Sequence, residues 1–229
     1  MNAIPVDNNS ANRKPWSFID RWRIEGCLVT TSPLHVGSGD VIDHPAIVVN
    51  DKPVEVRAVM KDHAEWPILP GASIKGCLRS WVQSHIGDTQ AALIREVFGR
   101  PVDEVPQKVR PAEKGRIEGG RAAFHDAQMV IRRVGETQLP FWKECGHTYI
   151  EANNSIDEET GTAADKHLLY TECVPPGAGF QVIITGYFSD KEAALILFAL
   201  NGFNDRVDPI TIGSDGHCHK GRCKWEQGR

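Results

Sequence analysis

The chain has 229 residues and carries 26 Lys and Arg against 30 Asp and Glu, a formal net charge of −4. A globally basic nucleic-acid-binding protein is therefore excluded, although a local basic groove is not. The hydrophobic fraction of 41% and the charged fraction of 24% are those of an ordinary globular domain. No apolar run approaches the ~20 residues that a membrane span needs. Six cysteines without a secretory signal favour a reduced, cytoplasmic protein.

Residues 1–20 are polar and are expected to form a disordered lead-in, followed by one domain over 21–229. Hydrophobic periodicity then predicts the elements of that domain. In chain order they are a strand at 23–31, a turn at 37–40, an extended run at 46–49, helices at 74–85 and 89–98, an extended stretch at 122–131, a strand at 181–188, a helix at 190–200 and a short run at 223–226. This order predicts an α+β fold with a β-α-β-β-α-β core and a long polar arm at 137–179.

The first candidate site is the predicted start of the first long helix. Gly71 and Ser73, with Ser73 as the N-cap, would leave backbone N–H groups open where the helix dipole is positive, which suits an anion. Lys75 and Arg79 are four residues apart and would lie on one face of that helix. A nucleic-acid backbone fits this pattern, and so does an ordinary capped surface helix with two solvated cations.

A second candidate site follows the first strand, where His35, Asp40, Asp43 and His44 fall in what is predicted to be a loop. Carboxylates on a loop hold a magnesium ion or a water in many enzymes. The alternative is a polar turn stabilised by its own side chains.

The third candidate site lies near the C-terminus. Gly213 and two further glycines would allow a phosphate backbone to approach closely, and the stretch carries three cations. These cations are Lys220, Arg222 and Lys224. The same stretch offers a set of zinc ligands, namely His217, Cys218, His219 and Cys223. Phosphate binding, zinc binding and ordinary thiols therefore remain open here.

Taken together, these segments resemble the repeat-associated mysterious protein (RAMP) superfamily, and among its members the backbone subunit of type III CRISPR effector complexes. Residues 68–79, ILPGASIKGCLR, resemble the family motif IPGSSLKG..R. LHVGSG from Leu34 resembles the LHIG loop, and VIDHP from Val41 resembles the step that carries the family's catalytic aspartate. Three further matches follow in the family's order, at 120–127, at 154–163 and at the C-terminal glycines.

The resemblance implies an RRM-like core with an inserted thumb β-hairpin at about 139–176. Copies of this chain, or homologous RAMP subunits, would stack along a guide CRISPR RNA beside the large, small and other subunits of the effector complex. Asp43 would cut complementary target RNA with a divalent metal, expected to be magnesium, because an ordinary aspartate is a weak base at neutral pH. Guide phosphates would be held by Ser73, Lys75, Arg79, Gly213, Lys220 and Arg222, with His35 and Arg121 as auxiliary residues.

The chain departs from the family pattern around the aspartate, where the segment from His35 to Asp43 is short, so Asp40 is the alternative carboxylate. Three other functions stay open. One is a guide-RNA-binding scaffold that does not cut, another is a small zinc-binding protein, and the last is a guide-processing endoribonuclease with His35 as the base.

Overall fold

The computed structural model describes residues 20–49, 51–99, 119–132, 147–156, 163–213 and 220–227. The predicted lead-in at 1–20 lies outside these ranges except for Asp20, which is the first residue of β1. Within them the elements in chain order are β1 (Asp20–Thr30), β2 (Gly37–Val49), β3 (Lys52–Val59), β4 (Ile68–Leu69), α1 (Gly71–Phe98), β5 (Ala122–Phe124), β6 (Ala127–Arg132), β7 (Tyr149–Ile156), β8 (Ala163–Cys173), β9 (Ala178–Phe188), α2 (Asp190–Asn201) and β10 (Cys223–Gln227).

The core of the molecule is a mainly antiparallel sheet in the order β10-β1-β9-β6, extended by β4 beyond β6 and by β5 beside β9. Taken with α1 and α2, these strands follow one another along the chain as β1-α1-β6-β9-α2-β10. Numbered by their place in that plan, the four strands lie in the order 4-1-3-2. The predicted ferredoxin-like α+β fold is therefore confirmed.

Period-two alternation explains why the central strands bury one face. In β1 the buried side chains include Ile24 and Leu28, and in β9 they include Phe180 and Ile184. Both helices cover this apolar face, and their own buried residues join the same core cluster. The start of α2 is fixed by a capping box, in which Ser189 and Glu192 satisfy each other's backbone N–H groups.

A second, four-stranded sheet is built from the two insertions, in the order β2-β3-β8-β7. The hairpin of β2 and β3 precedes α1, and the hairpin of β7 and β8 confirms a β-hairpin within the predicted arm. The two hairpins meet through one parallel contact, in which Val56 pairs with Tyr170 and Arg57 with Thr171. A small cluster around Val56 and Ile150 packs one face of this sheet.

Two local predictions were wrong and one strand was missed, whereas the predicted helices at 74–85 and 89–98 are present as the two segments of α1. The first segment continues through Gly87 to a kink at Gln90, where the backbone angles are non-helical. Its N-cap is Pro70 rather than Ser73. The predicted turn at 37–40 lies inside β2, where the pairing with β3 shifts register, and β3 itself was not anticipated.

Candidate nucleic-acid interface

A cavity of about 490 Å³ lies between the core and the second sheet. Its lining comes from four parts of the chain that are distant in sequence, and it includes His35, Asp40, Arg57, Ser73 and Gly213. Four of these five residues belong to the three segments that the sequence singles out. The fold therefore brings the segment after β1, the start of α1 and the C-terminal glycine stretch to one place.

The bulge in β2 forms one wall of the cavity. Gly37 pairs with Val59 and Val41 pairs with Arg57, so three residues of β2 stand opposite Ala58 alone. The residues between these two pairs form a turn-like hydrogen bond, in which the Asp40 N–H donates to Ser38 Oγ at 3.1 Å. The extra residues bend the strand and place Asp40 at the cavity.

His35 lies beneath that wall and is buried. Its Nδ1 lies 2.7 Å from the carbonyl oxygen of Glu172 in β8. This hydrogen bond fixes the orientation of the ring and connects the cavity floor to the β7–β8 hairpin. His35 therefore has a structural partner of its own.

Gly213 closes the cavity from the C-terminal side. Its φ is +94°, and a Cβ at this position would overlap the carbonyl oxygen of His35. Only glycine fits both conditions without strain. A second contact anchors the C-terminal glycine stretch near the same segment, because the Gly221 N–H donates to the carbonyl oxygen of Pro33 at 2.8 Å.

The start of α1 forms the opposite wall, but its amides are less open than the sequence predicts. The Gly71 N–H donates to Asp126 Oδ1 at 2.8 Å, and the N–H groups of Ser73 and Ile74 donate to the carbonyl of Pro70. Anion binding here therefore depends more on side chains than on unpaired amides. Half-burial, with the Arg79 charge nearby, holds the pKa of Lys75 below its usual value.

Asp43 lies on β2, two residues beyond Val41, and is exposed. Side chains two apart on a strand share a face, so Asp43 lies on the face of β2 that carries the cavity-lining Val41. Its cross-strand neighbour is Glu55. Asp43 thus shares a strand face with a lining residue but lies outside the lining, whereas Asp40 is part of it.

A buried carboxylate joins the two hairpins of the second sheet. Glu172 accepts hydrogen bonds from the Val59 N–H at 2.9 Å and from the Thr148 hydroxyl, and its Oε1 lies 2.7 Å from Lys61 Nζ. Sequence reasoning missed this group, because its partners come from two segments that are distant from Glu172 in the sequence or separated from it by a strand, at 59–61 and at 148. The network fixes the β7–β8 hairpin beside His35.

Three of the residues predicted to contact RNA lie outside the cavity lining. Lys220 Nζ lies 2.7 Å from Glu151 Oε2 of β7, in a mostly buried ion pair. Arg121 lies 2.9 Å from Glu192 at the start of α2 and is absent from the cavity lining. Arg222 is exposed, with its backbone N–H on Ser32 Oγ.

The zinc hypothesis falls mostly outside the described residues, since His217, Cys218 and His219 belong to 214–219. Cys223 is described and is part of the hydrophobic core, where burial raises the pKa of its thiol to about 12. Across the parts of the chain that the structure describes, no group of three His, Cys, Asp or Glu residues is arranged to hold a metal ion. No described helix is long and apolar enough to cross a bilayer.

Arg57 is the cavity residue that sequence reasoning missed. The segment VEVRAV in β3 alternates, with Val56 and Ala58 buried and Glu55 and Arg57 exposed. This alternation is visible in the sequence, and it indicates both the strand and an arginine on its exposed face.

These features define a ferredoxin-like α+β domain in which the inserted β2–β3 hairpin lines a cleft beside the core. The sequence model of the RAMP superfamily matches residues 27–217, and the chain belongs to that superfamily.

One relative is the CRISPR system Cms endoribonuclease Csm3 of Enterococcus italicus. It is 27% identical over 159 residues, which cover 69% of this chain and 67% of the relative. Two structures of the type III-B Cmr-beta complex contain chains of the same fold, each 12% identical over 91% of this chain and 98% of that chain. The TM-score is 0.58 for the complex bound to cognate target RNA and 0.59 for its apo state.

Proposed function

We propose that this chain is a backbone subunit of a type III CRISPR effector complex, which holds guide RNA and cuts complementary target RNA at Asp43. The observation that carries the proposal is the single cavity lined by Ser73, Gly213 and Asp40, with Asp43 on the same face of β2 as the lining residue Val41. The relative named as an endoribonuclease and the similar chains from a complex bound to target RNA support it.

The binding role belongs to the start of α1. Lys75 and Arg79 are half-buried on this helix, next to Ser73 in the cavity wall. Contacts of this kind go to phosphate and sugar, so guide RNA would be held without regard to its sequence. Since the chain has a net charge of −4, these clustered cations must supply the local attraction.

The cutting role belongs to the exposed carboxylates of β2. In the reaction the ribose 2′-oxygen loses its proton and attacks the adjacent phosphorus, the bond to the 5′-oxygen breaks, and that oxygen takes a proton. The products are a 2′,3′-cyclic phosphate and a 5′-hydroxyl. Asp43, with Asp40 three residues earlier in the cavity lining, would orient the target backbone for this in-line attack.

The donor set fits magnesium better than zinc. Magnesium is usually bound by one or two carboxylates together with substrate phosphates and water, and Asp43 and Asp40 are hard oxygen donors. When bound there, the ion would supply charge neutralisation at the phosphate.

The test uses the effector complex assembled on guide RNA with the full-length chain. Asp43→Asn should retain guide RNA and slow target cleavage by at least ~100-fold. Asp51→Asn is the matched control, because Asp51 is at the turn between β2 and β3 and has a φ of +61° that asparagine adopts equally well.

Other outcomes would reassign the function. Loss of cutting in Asp40→Asn but not in Asp43→Asn would move the active carboxylate to Asp40. Normal cutting in both variants, or no cutting by the wild-type complex, would leave a guide-binding scaffold. One tightly held zinc without co-purifying RNA would favour the zinc-binding alternative.

A further inference from the structure

Arg57 is an exposed cation in the lining of the cavity. It pairs across the second sheet with Val41 on one side and with Thr171 on the other. Asp43 is the cross-strand partner of Glu55, two residues before Arg57. Arg57 and Asp43 are therefore diagonal neighbours on the same face, a separation of about 7–8 Å between backbones that a long side chain can span.

The guanidinium of Arg57 has no ion-pair partner among the residues that the structure describes, although acidic groups stand nearby on the same hairpin. Two other basic groups beside the second sheet are engaged, since Lys61 pairs with Glu172 and Lys220 pairs with Glu151. Arg57 therefore differs from these cations in being available to a ligand that enters the cavity.

We infer that Arg57 binds a phosphate of the target RNA strand beside Asp43 and positions that strand for cutting; this inference rests on the proposed function. A guanidinium offers two parallel N–H donors that match two phosphate oxygens, and it stays charged at every relevant pH. Arg57 belongs to the same hairpin as Asp43, across the cavity from Ser73 and the guide-binding helix. Arg57 is therefore placed to contact the target strand near Asp43 rather than the guide RNA.

The experiment compares Arg57→Gln and Arg57→Lys with the wild-type chain in the assembled effector complex. Arg21→Gln is the matched control, because Arg21 is an exposed arginine on β1 of the core sheet. Three quantities are measured: the guide RNA retained, the affinity for target RNA as a function of salt, and the single-turnover cleavage rate.

Arg57→Gln should retain guide RNA and reduce the slope of log Kd against log salt for target RNA by about one. It should also slow cleavage by about 10- to 100-fold, and Arg57→Lys should restore part of the rate, since lysine keeps the charge but loses the fork. A purely structural role would not change the salt slope.

An unchanged salt slope would overturn the inference, and so would loss of guide RNA from Arg57→Gln, which would make the residue a guide contact. Failure of the proposed cutting role is recognised separately, by a wild-type complex that does not cleave or by normal cleavage in Asp43→Asn. In that case the salt slope still decides whether Arg57 contacts the target strand.

Discussion

Replacing Lys61 with methionine tests whether the buried carboxylate of Glu172 holds the two hairpins of the second sheet together. Lys61 Nζ lies 2.7 Å from Glu172 Oε1, and the two side chains are 19% and 4% exposed. Methionine keeps most of the aliphatic stem and removes the charge. The variant therefore isolates the loss of the ion pair from the loss of packing.

The expected cost follows from burial. Removing one partner of a buried ion pair costs about 3–5 kcal/mol, because an uncompensated charge stays behind. The Val59 N–H and the Thr148 hydroxyl still hold Glu172 in the variant, so we expect the low end, about 3 kcal/mol. For a chain of this size that loss lowers Tm by about 6–12 °C.

The assay is urea unfolding of the wild type, Lys61→Met, Glu172→Gln and the double variant. The double variant should lose less than the sum of the single ones, with a coupling energy of about 2 kcal/mol. Lys224→Met is the matched control: its pair with Glu226 is exposed and should contribute within about 0.5 kcal/mol. A loss for Lys61→Met no larger than the control's would refute the assigned role of Glu172.

Three further predictions concern the thiols, the glycine stretch and the helix start. Burial raises the pKa of Cys77 and Cys223 from 9.0 to about 12, so the stability they contribute is present below pH 9 and is lost as the pH rises toward 12. The free energy of unfolding should fall by about 1.4 kcal/mol per pH unit for each thiol, and Cys77→Ala should remove its share of that slope in urea titrations at pH 8–11. Gly213→Ala should destabilise the fold by at least ~1 kcal/mol and release guide RNA, and a variant as stable as the wild type would contradict the close packing on His35. Lys75→Gln should reduce the guide RNA that co-purifies and lower the salt slope of guide binding by about one, whereas unchanged retention would remove Lys75 from the binding surface.

Much of the core was predictable because its signals are local. The apolar stripe of α1, the alternation of β9 and the start of α2 at Asp190 each depend on residues close in sequence. The capping error at Ser73 shows the limit of such signals. Ser73 has a suitable side chain, but the helix begins earlier, at Gly71, whose N–H donates to Asp126, 55 residues further along the chain.

The second sheet was not predictable in the same way, since it depends on long-range pairing. Gly37 and Gly39 favour a turn locally, and the partner strand that converts them into a bulge was not recognised. That the helix start and the C-terminal glycines lie at one site was predictable from the sequence. Its arginine was missed because Arg57 reaches the cavity only through that unpredicted strand.

The two hairpins of the second sheet share one edge, where β3 and β8 pair at two positions, and each hairpin forms half of a single surface. Neither can be exchanged for the equivalent hairpin of a relative without breaking that shared edge. Chimeras that transplant the arm alone should misassemble, whereas chimeras that carry both insertions together should keep the cleft. Lengths of the two insertions are therefore expected to change in concert across the superfamily.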